Sequence, residues 1–304
     1  MYNETKLFEI EKDKLIYQNE NKFCQKKYQK EIGAVLHREK RVPYFTFSSF
    51  SEYDFIRHGF STRLGGVSEG KYSTLNLSYS RGDEEKAVTK NYHLICESMG
   101  MDTKDIVFSD QVHDTVVYRA SKKDCQENVL EHRKLSGIDG LVTNEKNVVL
   151  CTSYADCVPL FFVDAKNKAI GLSHSGWKGT VGKIGKKTVE TMQQEFGSRP
   201  EEIHCVIGPS ICVNCYEVSQ DVIEQVQENV TEEVFKDCVY NKGNGKYQLD
   251  LWMLNRYILM EAGVLEENIK ISNVCTCCNH TLMFSHRASG GKRGNLCGFL
   301  EIYK

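Results

Sequence analysis

Several features that would place a protein in a membrane, outside the cell or on nucleic acid are missing from this 304-residue sequence. It has no run of about 18 apolar residues, the length that a transmembrane helix needs. Its first residues, MYNETKLFEIEKDKLIYQ, carry frequent charges instead of the apolar segment of a signal peptide, which predicts a cytoplasmic protein. The 39 basic and 41 acidic residues leave a net charge of -2, so neither nucleic acid nor a membrane is an expected partner.

A disulfide framework is also not expected, although the sequence contains 13 cysteines. Their number is odd and no export signal accompanies them, so most are predicted to be reduced, buried side chains. Two groups stand apart: Cys212 and Cys215 have C-x-x-C spacing, and NVCTCCNH holds Cys275, Cys277 and Cys278. A zinc knuckle or a redox pair is an open alternative there, but the crowded second group favours reduced structural thiols.

The chain has neither a linker rich in proline and serine nor an internal repeat, which predicts a single mixed α and β domain, although the length would also permit two. Short β-type runs include VVYRA, NVVLCT, PLFFVD and IHCVIG. Helical spacing of apolar residues predicts helices over about 84–99, 180–196, 218–229 and 250–262. Residues 1–42 are polar and are predicted to form a peripheral arm or hairpin, which leaves 43–304 as the main domain.

Three residues that could bind a metal lie at the ends of predicted strands. His113 lies in SDQVHDTVVY, Cys157 precedes the apolar run VPLFFVD, and His174 ends the run IGLSH. Two imidazoles and a thiolate are good zinc ligands, and three ligands leave the open position typical of catalytic zinc. The separation of 17 positions from Cys157 to His174 fits two adjacent strands joined by a turn. Spacing alone, however, favours ordinary structural residues at such positions.

Two glycine-containing segments carry a cation that could bind an anion. In HSGWKGTVGKIG, Lys178 precedes the predicted start of a helix near Thr180, a place that attracts anions. The segment lacks the spacing of an ATP or dinucleotide site, and a simple glycine-rich turn is the alternative. In HGFSTRLGGVSEG, Arg63 could hold phosphate or carboxylate through two hydrogen bonds, or could be a surface residue of a turn.

Seven segments carry a family resemblance: HGFSTRLGGVSEGKYSTLNLSYSRGD, SDQVH, DGLVTN, ADCVPLFFVD, HSGWKGTVGKI, GPSICVNCYEV and FSHRASGGKRGNLCGF. Together they resemble the bacterial YfiH family, also called the peptidoglycan editing factor or multicopper polyphenol oxidoreductase (laccase) family. Its members are described as purine nucleoside phosphorylases. The segments follow the family's order from about His58 to Phe299 and so cover most of the chain.

The resemblance implies an α+β fold, a single-domain α/β sandwich with mixed β-sheets flanked by helices, and a catalytic domain over 43–304. It also implies a zinc site at His113, Cys157 and His174, with copper as the metal of the older family name. The implied activity is phosphorolysis of adenosine, inosine, guanosine and methylthioadenosine, together with deamination of adenosine. The implied partners are therefore a nucleoside and phosphate.

Roles for four further residues follow as hypotheses from this activity. Asp156 or Asp139 would carry a proton during deamination, and Arg63 and Lys178 would hold phosphate during phosphorolysis. The chain departs from the family pattern at HSGWKG, where H-A-G-W-R-G is common, and in the looser tail SHRASGGKRG. At Lys178 a point charge replaces a forked guanidinium, which changes how an anion would be bound, whereas the metal ligands match the family pattern.

Three other functions use the same residues. Cys157 could be the nucleophile of a cysteine hydrolase or amidase that edits peptidoglycan precursors, with His113 or His174 as its partner. Copper-dependent oxidation of phenols is less favoured, because none of the nine histidines forms an H-x-H pair. A zinc-stabilised binding protein without enzymatic activity is the remaining alternative.

Overall fold

The computed structural model describes residues 33–125 and 135–304, which form three β-sheets and seven α-helices. The first sheet has seven strands, in spatial order Ala34–His37 (β1), Tyr44–Phe47 (β2), Ile56–Ser61 (β3), Leu296–Ile302 (β16), Val149–Tyr154 (β8), Ile106–Asp110 (β4) and Leu135–Ser136 (β6). Pairing is antiparallel from β1 to β8 and parallel from β8 through β4 to β6. This sheet is therefore mixed.

The second sheet has six strands and is also mixed. They are, in spatial order, Ile269–Ile271 (β15), His204–Ile207 (β11), Val158–Asp164 (β9), Ala169–Ser175 (β10), Gly140–Thr143 (β7) and Val117–Arg119 (β5). The two outer pairs, β15 with β11 and β7 with β5, are parallel, whereas the inner pairs are antiparallel. A small antiparallel third sheet contains Glu217–Ser219 (β12), Lys246–Leu249 (β14) and Val239–Gly243 (β13).

The helices pack around the sheets, some on the outer faces of the two large sheets and some beside the small third sheet. They are Glu85–Met99 (α1), Trp177–Val181 (α2), Ile184–Phe196 (α3), Gln220–Asn229 (α4), Glu232–Cys238 (α5), Leu251–Glu261 (α6) and His286–Ser289 (α7). Among the described residues, no helix is both long enough and apolar enough to cross a membrane.

Alternation along the strands creates separate cores on the two sides of each large sheet. In β9, Phe161 points toward the first sheet and packs in the core shared by the two sheets, whereas Leu160 and Phe162 pack in the core beneath α3 and α6. In the first sheet, Leu150 of β8 enters the shared core and Val149 packs in the core beneath α1. The result is a four-layer sandwich of helix, sheet, sheet and helices, which confirms the predicted α/β sandwich with mixed sheets.

The predicted helix over 180–196 is wrong at its start, because two helices occupy this segment. A short helix, α2, begins at Trp177 and ends at Val181, and α3 begins at Ile184. Between them Lys183 has a left-handed backbone, with φ of 63°, which stops the first helix. The other three predicted helices correspond to α1, α4 and α6 within two residues at each end.

Most of the predicted arm, residues 1–32, lies outside the described residues. Within the part that is described, Ala34–His37 pair with Tyr44–Phe47 as the edge of the first sheet, and Ala34 is buried. The boundary placed between residues 42 and 43 stays a prediction.

Candidate functional site

The strands of the second sheet bring Cys157 and His174 together. Cys157 directly precedes β9, and His174 is the sixth residue of β10. These strands are antiparallel, with His174 opposite Pro159, so the end of β10 lies beside the start of β9. The two side chains thus lie at the same end of the sheet, an arrangement that the spacing in the sequence permitted.

His113 reaches this end of the sheet from the loop between β4 and β5, and the carboxylate of Asp139 organises that loop. The backbone N–H groups of Val112 and Asp114 donate to Asp139 Oδ2 at 2.9 and 3.0 Å, and that of His113 donates to Oδ1 at 3.1 Å. His113 has a left-handed backbone with φ of 64°. Because three consecutive N–H groups converge on one buried carboxylate, the loop is held in this tight turn.

Asp139 also orients the imidazole of His174, whose Nδ1 lies 2.8 Å from Asp139 Oδ1. Burial by itself would raise the pKa of the Asp139 carboxyl, but hydrogen bonds from His174 and from the backbone of Asp114 and Val112 lower it below its ordinary value. The carboxylate is therefore charged and acts as a hydrogen-bond acceptor. Since Nδ1 is engaged, Nε2 of His174 remains for a ligand.

The donor atoms of His113, Cys157 and His174 all lie within 4.8 Å of one another. The two imidazole rings are nearly perpendicular, with their centroids 4.8 Å apart. Gly176 makes room for this group, because a Cβ there would lie 3.0 Å from Cδ2 of His113 and 3.2 Å from Sγ of Cys157. His174 is buried, Cys157 is half-buried and His113 is exposed, so the group can be reached from solvent on the side of His113.

The electrostatics of the group favour a thiolate. Burial by itself would raise the pKa of the Cys157 thiol, but the charge of His174 and hydrogen bonds from His113 and His174 lower it to about 6. Burial would lower the pKa of His174, but Cys157 and Asp139 raise it to about 9. The buried thiol of Cys205 shows the contrast, because burial alone raises its pKa well above the ordinary value.

Asp156 supports the start of β9 from outside the donor group. It has a left-handed backbone, with φ of 86°, and its carboxylate is buried. Oδ1 accepts a hydrogen bond from Oγ1 of Thr276 at 2.6 Å, and Oδ2 accepts from Oγ of Ser285 at 3.1 Å and from the backbone N–H of Arg287 at 2.7 Å. Asp156, which directly precedes Cys157, therefore connects the start of β9 to two distant segments, one at Thr276 and one at 285–287.

The structure places the two predicted anion-binding cations differently. The guanidinium of Arg63 donates to the carbonyl oxygen of Ser73 at 3.0 and 2.8 Å and to that of His280 at 3.1 Å, above the ring of Phe284. Lys178 is exposed, with Nζ 5.7 Å from the ring centroid of Trp177. The expectation that Lys178 precedes a helix is wrong, because it is the second residue of α2.

A buried cation that the sequence reasoning missed interacts electrostatically with Asp156 and Cys157. Arg293 is 8% exposed, and its Nη1 donates to the carbonyl oxygen of Gly294 and to Oδ1 of Asn295. Burial and then the charge of Arg81 lower the pKa of Arg293 to about 10, while Asp156 and Cys157 oppose this. Within the described part of the chain, its Nε has no hydrogen-bond partner. The only signal in the sequence was its position in the tail segment SHRASGGKRG.

The structure also brings the two C-x-x-C pairs together. Sγ atoms of four cysteines lie within 4.8 Å of one another: Cys212, Cys215, Cys275 and Cys278. Cys277 is outside this group. The sequence favoured reduced structural thiols here because the second pair is crowded, but in the structure the intervening Cys277 does not obstruct the pairing of Cys275 and Cys278 with the first pair.

These features define a mixed α/β sandwich with a histidine and cysteine donor group at the end of its central strands. A family model described as "Multi-copper polyphenol oxidoreductase laccase" matches residues 57–303, and the chain belongs to this family. The family predicted from the sequence is therefore confirmed.

Several curated relatives that this chain resembles are named as enzymes. Purine nucleoside phosphorylase YlmD of Bacillus subtilis (strain 168) is 40% identical over 246 residues, which cover 80% of this chain and 87% of that protein. Adenosine deaminase RL5, from an unknown prokaryotic organism, is 36% identical over 255 residues, which cover 81% of this chain and 93% of that protein. The crystal structure of Bacillus licheniformis hypothetical protein YfiH matches with a TM-score of 0.83 and 30% identity, and covers 88% of this chain and 98% of that one.

Proposed function

We propose that this protein is a zinc-dependent purine nucleoside phosphorylase that also deaminates adenosine. The observation that carries the proposal is the convergence of His113, Cys157 and His174, oriented by the buried Asp139, in a chain whose relatives are named for these two reactions. Adenosine, inosine, guanosine and methylthioadenosine are the proposed substrates, with phosphate as the second substrate of phosphorolysis.

The residues fit zinc. Two imidazole nitrogens and a thiolate are ligands that zinc prefers. Because Gly176 has no Cβ, the three donors can lie close together. When bound, zinc supplies Lewis acidity, which lowers the pKa of water to about 7. His174 would bind through Nε2, because Asp139 holds its Nδ1.

Oxidation of phenols by several copper ions is not proposed. The same two imidazoles and thiolate could bind copper. Within residues 33–125 and 135–304, however, this is the one candidate metal group that contains histidine, and the other consists of four cysteines. A multicopper centre would need more imidazole ligands than these residues bring together.

The two carboxylates have different proposed roles. Both oxygens of Asp139 accept two hydrogen bonds, so Asp139 positions the loop of His113 and the ring of His174. Oδ1 of Asp156 accepts one hydrogen bond, from Thr276, and so has a lone pair left to accept a proton. Asp156 is therefore the better candidate for the proton carrier in deamination.

Two cations, Lys178 and Arg293, are the proposed ligands of phosphate. Lys178 is exposed four residues after His174, and Arg293 is buried near Asp156 and Cys157 with an unused Nε donor among the described residues. Positive charge of this kind favours the phosphate that attacks the sugar carbon. Arg63 is the weaker candidate for phosphate, because its three donor nitrogens already bind backbone carbonyls.

The proposal is tested with purified protein whose zinc content has been measured. Inosine plus phosphate should yield hypoxanthine and ribose 1-phosphate, and adenosine without phosphate should yield inosine. Protein stripped by a chelator should lose both activities and regain them with zinc. Zinc-loaded protein that releases no base from inosine and phosphate would show that the proposal is wrong.

A cysteine hydrolase is the second candidate, and one observation favours it. The thiol of Cys157 has a pKa lowered to about 6, lies beside His174, and His174 is in turn held by Asp139, an order of groups that can activate a nucleophile. Peptidoglycan precursors are its proposed substrates. Hydrolysis that survives complete removal of zinc and stops on alkylation of Cys157 would support this candidate, whereas loss of zinc would abolish the phosphorylase.

Replacing Lys178 separates the two proposed reactions. Because deamination uses no phosphate, Lys178→Ala should raise the KM for phosphate roughly tenfold, consistent with one lost charge-assisted contact, and leave adenosine deamination within about twofold. Lys187→Ala, which removes an exposed lysine of α3 that pairs with Glu190, is the matched control. An equal loss of both activities would show that Lys178 does not act on phosphate.

A further inference from the structure

A second candidate metal centre lies in two loops that follow neighbouring parallel strands at the same end of the second sheet. The four-cysteine cluster consists of Cys212, Cys215, Cys275 and Cys278. Its first pair follows β11 and its second pair follows β15, and these strands are parallel neighbours. A further bridge pairs Ser210 with Cys275, so the alignment of the strands continues into the loops.

The sulfur positions match four ligands of one ion. Sγ of Cys278 lies 3.4 Å from Sγ of Cys215 and 4.0 Å from Sγ of Cys212. Sulfurs bound at about 2.3 Å to a tetrahedral zinc ion are about 3.8 Å apart, which falls between these two distances. A disulfide needs about 2.05 Å, and none of these four cysteines forms one.

The backbone around the cluster favours charged sulfur. The N–H groups of Cys212 and Cys278 donate to Sγ of Cys275 at 3.2 and 3.4 Å. Hydrogen bonds from backbone N–H groups stabilise negative charge on a ligand atom. Cys212 and Cys275 are buried, and Cys215 and Cys278 are half-buried, so an ion at the centre would be shielded from water.

We propose that the four-cysteine cluster binds one zinc ion through its four thiolates, and that this second centre is structural. Four protein ligands complete the tetrahedral coordination of zinc and leave no position for water or substrate. Two C-x-x-C pairs from separate loops supply the ligands, which is the usual pattern of a structural zinc site. This inference does not depend on the proposed enzymatic function.

The consequence of a zinc ion here is a fixed support for the first site. The backbone N–H of Ile211 donates to the carbonyl oxygen of Asp156 at 3.0 Å, and Oγ1 of Thr276 donates to its carboxylate at 2.6 Å. Each of these donors lies directly beside a cysteine of the cluster. Zinc that joins the two loops would thus hold both contacts to Asp156, the neighbour of Cys157.

The test counts zinc in the full chain, purified anaerobically with a reductant that does not bind metals. His113→Asn removes a donor of the first site, so any remaining zinc reports on the cluster. We expect one equivalent in His113→Asn, none when Cys275→Ser is added, and one when Cys277→Ser is added instead. Cys277 is the matched control because it lies in the same turn but outside the cluster.

Three results would overturn the proposal. They are equal zinc contents in the two double variants, iron in place of zinc, and a disulfide between cluster cysteines in anaerobically purified protein. Since Cys275→Ser could fail to fold, the His113→Asn protein is also expressed with cobalt in place of zinc. Tetrathiolate cobalt should give strong sulfur-to-metal charge-transfer absorption at one equivalent of bound metal, and its absence contradicts the proposal.

Discussion

At the scale of single residues, Asp139 illustrates how a side chain that need not touch metal or substrate can determine a site. Its carboxylate receives three backbone N–H groups of the 112–114 loop and the Nδ1 of His174. One oxygen thereby contacts both the loop that carries His113 and the ring of a second ligand. The sequence indicated Asp139 through the segment DGLVTN, but its contacts depend on the return of the chain to the same sheet edge.

Replacing this carboxylate should weaken metal binding. Asp139→Asn puts an amide NH2 against backbone N–H donors and removes the charge that fixes the tautomer of His174. We expect the affinity for zinc to fall about 10- to 100-fold, measured by competition with a chromophoric chelator. Asp164→Asn is the control, because this buried carboxylate also accepts backbone N–H groups but lies at the other end of β9 from Cys157. Equal zinc affinities in the two variants would contradict a positioning role for Asp139.

At the scale of elements, Gly182, which lies between α2 and α3, packs against the loop that carries His113. A Cβ at Gly182 would lie 2.6 Å from Cγ2 of Thr115, two residues after His113 in the chain. The close contact explains why glycine stands here, since its φ of -72° is one that alanine adopts readily. Apolar spacing over 180–196 predicted one continuous helix, because local spacing contains no information about a contact with a loop 67 residues earlier.

This contact predicts an effect of Gly182→Ala on the metal site rather than on helix formation. Alanine favours the helical backbone, but its methyl group would push the 112–115 loop away and displace His113. We expect zinc affinity to fall roughly tenfold, because ligand positions tolerate little displacement. Adding Thr115→Ser removes Cγ2 and should restore the affinity. A double variant as weak as Gly182→Ala alone would show that the steric contact is not the cause.

At the scale of the whole molecule, the sequence predicts what local patterns determine. Short β-type runs and helical apolar spacing located β9, β10, α1 and α6, and the spacing of Cys157 and His174 was consistent with adjacent strands that place both at one end of the sheet. The long-range features were not accessible in this way. The four-cysteine cluster needs β11 beside β15. No local pattern in the sequence indicates that Arg293 interacts electrostatically with Asp156 and Cys157.

A whole-molecule property, stability in acid, depends on a residue of the first sheet. The imidazole of His58 lies against the rings of Phe47 and Phe50, and its Nε2 accepts the backbone N–H of Phe47 at 2.8 Å. Burial, and to a smaller extent the charge of His37, lowers the pKa of His58 to about 4. Between pH 6.5 and about 4 the unfolded chain therefore binds a proton that the folded protein does not, so the free energy of unfolding falls as the pH falls.

Removing this histidine should reduce the dependence of stability on pH. Between pH 7 and pH 5, the wild-type protein should lose about 1 to 2 kcal/mol through His58, on top of the loss from other groups. In His58→Gln the amide oxygen can accept the N–H of Phe47, but nothing titrates, so that part of the loss should disappear from urea unfolding curves at the two pH values. His93→Gln, at an exposed position of α1, controls for the removal of a histidine as such. If His58→Gln and His93→Gln lose the same stability between the two pH values, His58 is not the group that makes the fold sensitive to acid.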